Sequence, residues 1–320
     1  MPPLILADFP PWFLRGFAVL FGLIWGSFLN VVVHRLPRGM SLSRPASHCP
    51  ACNTPIPFYR NIPVLSWLWM RGRAPCCGAR VSPRYLVVEL IGGMLSLAVL
   101  EATVMPLGGS VSFGFAMATY VANFALCLGL VAAAFIDLEH MFIPDRISLG
   151  GTVLGIGTFA LRDMTLLDAA LGAAVGLLVV WLPLVVGYEK LRGRPGMGLG
   201  DAKLTMLAGA WLGWGGALLV LGAGAIQGTI AVLVMTLFGV KLEEPEAVKR
   251  EREELRAELE ALPPEERAAI EEELGHDPLA EEPEEGLLGA RLAFGPFLIL
   301  AILEGLLIGR ERIFAWIGGL

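Results

Sequence analysis

Charged side chains are scarce in this 320-residue sequence: they make up 17% of it, while 55% of the residues are hydrophobic and the mean hydropathy is +0.66. A soluble domain typically has about 25% charged residues. The shortage of charge excludes an ordinary water-soluble protein. It predicts instead a protein whose fold is built inside a lipid bilayer.

No small-x-small cleavage site follows the first apolar run, and the run exceeds the roughly 7 to 15 residues of a signal-peptide core. It is therefore predicted to be a first transmembrane helix. Runs of spanning length, roughly 17 to 25 residues, lie at 12–33, 86–107, 113–136, 166–186, 217–240 and 292–308. Two shorter runs, 147–161 and 204–214, are counted as crossings, with a break at the glycines that follow Trp211. The predicted fold is an all-α polytopic membrane protein with about eight transmembrane helices.

Aspartate and glutamate are absent from residues 35–88, which contain eight arginines. By the positive-inside rule, this loop is predicted to lie in the cytoplasm. Counting crossings from this loop puts 137–146 and 187–203 on the same side. The segment 241–290 returns to that side as well.

Acidic charge is concentrated in residues 241–285, which hold 18 acidic and 6 basic side chains. Periodicity predicts a helix over Glu251–Leu262, a break at Pro263-Pro264 and a second helix over Glu265–Leu274. A solvated helical hairpin and a docking surface for basic partners both fit this pattern. Outside the segment the chain has 18 basic and 12 acidic side chains, which implies no nucleic-acid partner.

Two aspartates stand at predicted helix ends that face the same side. Asp137 ends the third apolar run, and Asp201 directly precedes a later apolar helix. Carboxylates at a membrane boundary are functional candidates, because a charge there must be hydrated, paired or protonated. If the two helices pack together, the carboxyls could share one proton. One would then act as base on a water while the other polarises a carbonyl.

The glycines before Asp201 lack the features of a nucleotide-binding loop. They have no Lys-Ser or Lys-Thr ending and no strand-loop-helix setting, which excludes a phosphate loop and a dinucleotide site. A Gly-x-Gly turn lets an extended substrate approach the backbone closely, so Gly198 and Gly200 are assigned to an active-site loop. Taken alone, Asp201 is equally well interpreted as a helix N-cap. Asp145 is interpreted as a cap or turn residue.

Several ordered motifs resemble those of the type IV prepilin peptidases, membrane aspartyl peptidases of the GxGD class. They are Gly26-Ser27-Phe28-Leu29-Asn30 with His34-Arg35-Leu36-Pro37, Cys49-Pro50-Ala51-Cys52, Asn61-Ile62-Pro63, Ser82-Pro83-Arg84-Tyr85, Asp137 with Pro144-Asp145, Gly198-Leu199-Gly200-Asp201 and Phe294-Gly295-Pro296-Phe297. The resemblance implies that Asp137 and Asp201 are the catalytic pair of a peptidase in the bacterial inner membrane. It implies type IV prepilins or pseudopilins as substrates, from pilus or type II secretion systems. Cleavage would follow a glycine on the cytoplasmic side, and the new amino terminus would be methylated from S-adenosylmethionine.

Cysteine is rare, with five in the chain, and four of the five lie in the arginine-rich loop. Cysteine pairs in an intracellular setting suggest metal binding before disulfides. The resemblance implies a four-sulfur zinc site made of two Cys-x-x-Cys pairs. The second pair is altered here, since Ala74 takes one cysteine position and Cys76 stands directly before Cys77. The predicted zinc ligands are Cys49, Cys52, Cys77 and either Cys76 or His48. The alternative is a loop of free thiols held by packing.

These patterns divide the chain into five parts. They are a first transmembrane helix (1–34), a cytoplasmic loop domain associated with methyl transfer (35–85), a peptidase membrane core (86–240), an acidic helical insertion (241–290), and a last transmembrane helix with its tail (291–320). Two other classes of function compete with the peptidase. A proton-relay transporter would have repeated halves, and no repeat is visible here. A non-catalytic assembly factor would not need both aspartate motifs.

Overall fold

The computed structural model describes residues 3–49, 51–192, 196–239, 246–263, 266–267, 270 and 293–309. Over these ranges the secondary structure is helical, and β-type pairing is confined to isolated bridges. Helices suit a bilayer because every backbone polar group there must find its partner within the protein. The all-α polytopic fold class is confirmed.

The α-helices of the described ranges are numbered in chain order. They are α1 (Pro11–Arg35), α2 (Leu65–Trp69), α3 (Arg84–Val99), α4 (Phe113–His140), α5 (Asp145–Gly157), α6 (Leu166–Val180), α7 (Tyr188–Arg192), α8 (Leu199–Leu237), α9 (Glu246–Ala261) and α10 (Gly295–Glu304). π-Helical segments extend α3 over Leu100–Val104, join α6 to α7 over Trp181–Gly187, and extend α10 over Gly305–Gly309.

Within the described residues, five helices are long and apolar enough to cross a membrane. They comprise α1, α3 with its extension to Leu107, α4, α6 continued to Leu191, and α8. The helix from Gly295 to Gly309 is apolar but shorter, and α5 has 13 residues. The chain is therefore a multi-pass membrane protein, and the total of eight crossings stays a prediction.

Helix α8 has 39 residues and is broken near its middle. The backbone of Gly213 leaves the helical conformation, with φ 75° and ψ 177°. An unbroken helix of this length would be about 58 Å long, against a hydrocarbon core of about 30 Å. Glycine adopts positive φ without a Cβ clash, which is why the chain breaks there. The break predicted at the glycines after Trp211 is thus confirmed.

Two apolar cores share helix α4. The first lies between α1, α3 and α4, and the second lies between α4, α8 and α10. Helix α6 packs on α8 where Gly172 and Gly209 meet, and a Cβ on Gly209 would collide with the Gly172 carbonyl. Small residues allow such close backbone approach between membrane helices. This contact fixes the first half of α8, which carries Asp201.

The acidic segment is described over α9, which contacts α4. The helix begins at Glu246 and ends at Ala261, whereas the sequence pattern predicts Glu251–Leu262. The earlier start is consistent with the run of Glu, Lys and Arg that precedes residue 251. The predicted second helix, Glu265–Leu274, lies largely outside the described residues.

Candidate active site

Asp137 lies in the last turn of α4, and the residue is only 4% exposed. The helix ends at Met141, whose left-handed conformation (φ 54°, ψ 34°) turns the chain away from the helix axis. The Met141 N–H donates to the Asp137 carbonyl over 2.8 Å. This turn leads through Ile143 into α5. The chain that follows Asp137 therefore forms another side of the candidate site.

Asp201 lies in the first turn of α8 and is 9% exposed. The N-cap position is occupied by Gly198, so the interpretation of Asp201 as the N-cap residue is wrong. The Asp201 carboxylate interacts with the backbone amide of Gly198, and the Asp201 N–H donates to the Gly198 carbonyl over 3.1 Å. The glycine turn therefore holds the carboxylate at the helix start.

The structure brings Asp137 and Asp201 together. The two side chains are close enough for the charge of Asp137 to act on Asp201. The backbone amide of Gly295 faces the Asp137 carboxylate. A Cβ atom on Gly295 would lie 3.1 Å from Asp137 Cγ and 3.0 Å from Ile143 Cδ1. Three segments that are distant in sequence thus meet around one pair of buried carboxylates.

Ile143 is a wall residue that sequence reasoning did not single out. Its Cδ1 atom lies 3.2 Å from the position that a Cβ on Gly200 would take, and it also approaches Gly295. The side chain therefore connects the turn after α4 to the start of α8 and the start of α10. No periodicity or spacing indicates this role, because it depends on the tertiary packing of three helix ends.

An ion pair ties α5 to α8 beside the carboxylates. Lys203 Nζ lies 2.6 Å from Asp145 Oδ1, and the two side chains are 20% and 58% exposed. Asp145 is the first residue of α5, and the N-cap position before it is occupied by Pro144. The cap interpretation of Asp145 is therefore wrong, and its position at the helix start serves an interhelical pair.

The arginine-rich loop is attached to the helices near the site. The Arg84 guanidinium pairs with Glu139 in the last turn of α4 and lies 5.7 Å from the ring centroid of Phe135. The buried Glu89 carboxylate accepts a hydrogen bond of 2.7 Å from the Val64 N–H. Val64 has a positive φ of 63°, an unfavourable conformation for a β-branched residue. The loop is thus fastened to both α3 and α4.

Four cysteine side chains of this loop form one cluster. The sulfur atoms of Cys49, Cys52, Cys76 and Cys77 all lie within 4.8 Å of one another. The shortest separations are 3.3 Å for Cys52–Cys76 and 3.7 Å for Cys49–Cys77. Four sulfurs placed about 2.3 Å from a tetrahedral zinc ion would be about 3.8 Å apart. The four side chains therefore fit a zinc ion. Although Cys76 and Cys77 are neighbours in the sequence, both sulfur atoms can belong to the same four-ligand site.

His48 is not part of this cluster. Among the described residues, the grouped ligand atoms are the four sulfurs, and His48 Nδ1 lies 3.1 Å from the Ala46 carbonyl oxygen. Hydrogen bonds from Thr54 lower the pKa of Cys52 to about 6, while a hydrogen bond to Cys52 raises the pKa of Cys76 to about 12. The cluster thus favours one thiolate, the ionised form that metal ions bind.

A cavity of about 540 Å³ opens in the same loop. Its walls include Trp67, Arg71, Arg73, Arg80, Val81 and Pro83. The Trp67 Nε1–H donates to the Val81 carbonyl over 3.3 Å, which fixes the indole ring at the edge of the cavity. The cavity is therefore basic and has one aromatic wall.

Fold and site together define a multi-pass helical membrane protein with two buried carboxylates at adjoining helix ends. Two family profiles match it: "Bacterial Peptidase A24 N-terminal domain" over residues 20–103 and "Type IV leader peptidase family" over residues 124–233. The chain belongs to the type IV leader peptidase family and is a membrane peptidase.

Similar curated proteins carry the name prepilin leader peptidase/N-methyltransferase. The protein from Aeromonas hydrophila is 40% identical over 238 residues, covering 65% of this chain and 77% of its own length. The protein from Aeromonas salmonicida is 38% identical over 267 residues, covering 74% and 84%. The protein from Klebsiella pneumoniae is 39% identical over 220 residues, covering 66% and 90%. No solved structure matches the chain.

Proposed function

We propose that the protein removes the leader of type IV prepilins or pseudopilins and that Asp137 and Asp201 are its catalytic pair. The observation that carries this proposal is the approach of these two buried carboxylates at the ends of α4 and α8. The relatives named as prepilin leader peptidases support the substrate class.

The proposed chemistry is hydrolysis of one peptide bond. One carboxylate takes a proton from a water, whose oxygen adds to the carbonyl carbon of the leader glycine, while the other carboxyl group donates a hydrogen bond to the carbonyl oxygen. Collapse of the tetrahedral intermediate breaks the carbon–nitrogen bond. The proton then passes to the departing amine, which becomes the new amino terminus.

The walls of the site suit an extended peptide. Gly198 is exposed, and a Cβ at this glycine would lie 3.4 Å from Asp201 Oδ2, so an extended substrate chain can lie against the backbone beside this carboxylate. The arginines of residues 35–88 and their lack of acidic partners support a cytoplasmic position for this end of the bundle. We accordingly assign the peptidase core to residues 86–240 and place it in the inner membrane.

The four-cysteine cluster is proposed to hold a structural zinc ion. Cys49, Cys52, Cys76 and Cys77 supply four sulfurs, and a four-sulfur site leaves no open coordination position for a reacting water. Bound zinc would cross-link the two halves of the loop. The metal is therefore assigned to folding of residues 35–85 and to no step of peptide cleavage.

N-methylation of the product is proposed from the names of the relatives. S-adenosylmethionine would supply a methyl group bound to a sulfonium cation. The walls of the loop cavity include three arginines, which would repel the sulfonium cation. No residue of this chain is assigned to the methyl donor.

The test is cleavage of a prepilin by the purified protein, with Asp137→Asn and Asp201→Asn as variants. Both substitutions keep the shape of the side chain and remove its acid–base function, so we expect each to abolish cleavage. Mass spectrometry with and without S-adenosylmethionine would detect the cleaved product and any added methyl group.

Asp163→Asn is the matched control, because Asp163 is an exposed aspartate in the turn between α5 and α6. It should cleave at the rate of the wild type. Equal cleavage by the wild type and both site variants, with all proteins folded and inserted, would refute the assignment of the pair.

A further inference from the structure

Three arginines converge on the loop cavity without an acidic neighbour. Arg71, Arg73 and Arg80 line it, and within the described part of the chain none of them forms an ion pair. No Asp or Glu occurs anywhere in residues 35–88. No carboxylate of the loop therefore balances the positive charge of the cavity.

The placement of two of these arginines is costly without a counter-charge. Arg73 and Arg80 form an antiparallel bridge across the turn that contains Cys76 and Cys77. Like charges directly opposite each other on paired strands repel and destabilise the pairing. A bound anion between the two guanidinium groups would reverse the sign of this interaction. Arginine is well suited to that task, since its planar fork binds phosphate through two hydrogen bonds.

The cavity lies at the edge of a membrane-spanning helix. Pro83 lines it, and the spanning helix begins at the next residue, Arg84. The α1–α3 loop is thereby held near the bilayer surface at both ends. At this depth the anions present at high density are the phosphate groups of lipids, and anionic lipids attract basic segments beside transmembrane helices.

The same loop exposes large apolar side chains that water does not favour. Leu65, Leu68 and Trp69 share one face of α2 and are all exposed, with Trp69 at 90%, while Trp67 turns toward Val81 and the cavity. Phe58, in the preceding turn, is 87% exposed. Aromatic side chains are enriched where proteins meet lipid headgroups. The apolar face of α2 therefore fits a lipid surface.

We propose that the cavity of Arg71, Arg73 and Arg80 binds the phosphate headgroup of an anionic phospholipid, with α2 lying in the membrane interface beside it. The site is separate from the Asp137–Asp201 pair and does not depend on the proposed peptidase function. Its ligand would hold the α1–α3 loop against the bilayer and offset the repulsion between Arg73 and Arg80.

The test compares lipid binding by the purified full-length protein and an Arg73→Gln/Arg80→Gln double variant. Native mass spectrometry would count retained lipids after exchange with phosphatidylglycerol or phosphatidylcholine of the same acyl chains. The control is Arg44→Gln/Arg60→Gln, which removes the same charge from the same loop at positions outside the cavity walls. Inorganic phosphate is added as a competitor to separate a lipid headgroup from a free anion.

The wild type should prefer phosphatidylglycerol, and the cavity variant should lose about tenfold or more of that preference while the control keeps it. Added salt should weaken the preference, as expected for an exposed charge interaction. An equal loss in the control, or full displacement by millimolar phosphate, would overturn the proposal. Zinc release from the cavity variant with unchanged lipid retention would also overturn it, because the arginines would then only balance the cysteine thiolates.

A cavity variant that fails to fold would lose zinc and prepilin cleavage together. In that case the wild type alone decides the question, through its headgroup preference and the salt dependence of that preference. Absence of a preference for phosphatidylglycerol in the wild type would overturn the proposal without any variant.

Discussion

Gly295 forms a side of the candidate site that has no side chain. Its backbone amide faces the Asp137 carboxylate, and the space above its Cα is filled by Asp137 and Ile143. An added methyl group would meet both residues at distances that real Cβ atoms rarely show. Glycine is therefore required at position 295 because Asp137 and Ile143 leave no room for a Cβ atom, and not because the backbone makes a turn there.

Gly295→Ala is expected to reduce prepilin cleavage strongly, because the new Cβ displaces the Asp137 carboxylate away from Asp201. The predicted loss is about 100-fold in kcat/KM, the scale on which a displacement of about 1 Å acts. Gly222→Ala is the control, since nothing lies within 4 Å of a Cβ at Gly222. Cleavage by the Gly295 variant at the wild-type rate would contradict this account of the wall.

Individual residues differ in how far the sequence predicts them. Asp137 and Asp201 stand out in advance because a carboxylate at a membrane boundary is costly. Ile143 does not, since an isoleucine before a proline is unremarkable until three helix ends pack around it. The role of Asp145 is misjudged for the same reason, because its partner Lys203 is 58 positions away.

The Lys203–Asp145 ion pair links helix α8 to helix α5. Exposed ion pairs contribute only about 0.2–1 kcal/mol to stability, and Asp145 is more than half exposed. The ion pair matters because of its position, since Asp145 follows Ile143 by two residues and Lys203 follows Asp201 by two. It thus links the starts of α5 and α8 beside the carboxylate pair.

Lys203→Met is expected to lower kcat several-fold while leaving the thermal unfolding midpoint within a few degrees of the wild type. The swapped variant Lys203→Asp/Asp145→Lys should recover part of the lost rate, because it restores an ion pair of opposite polarity. No recovery in the swapped variant, with both proteins folded, would show that Lys203 acts through something other than Asp145.

The helices themselves are easier to predict from the sequence than their π-helical turns. Apolar runs of spanning length predict the approximate positions of the helices, and the glycines after Trp211 predict the break in α8. No sequence pattern predicts the π-helical turns. Pro183 lies within the π-helix Trp181–Gly187, and a proline has no N–H for the regular α-helical bond, which explains the local change of winding.

At the scale of the whole molecule, the helical bundle and the cysteine loop are stabilised in different ways. The bundle has two apolar cores that share α4. The loop has few buried apolar residues, among them Cys49 and Ala74, so its order depends on the four-sulfur cluster and on its attachments to α3 and α4.

Removal of zinc is therefore expected to affect the loop alone. Cys52→Ser should reduce the zinc content measured by mass spectrometry and speed trypsin cleavage after the arginines of residues 71–80, because the loop loses its fixed conformation, while the helical content of the bundle stays unchanged. Cys127→Ala, in the interior of α4, should retain zinc. Retention of zinc by the Cys52 variant would contradict the four-sulfur assignment.

The bare backbone at Gly295 has a consequence for resistance to inhibitors. A compound that binds both carboxylates depends on a position of Asp137 that tolerates only glycine at 295, because every other residue brings a Cβ toward Asp137 and Ile143. A substitution of Gly295 that weakens binding of the compound would therefore disable the enzyme as well. Resistance mutations would therefore have to arise at other positions, so the surroundings of Gly295 are a part of the site on which an inhibitor can depend.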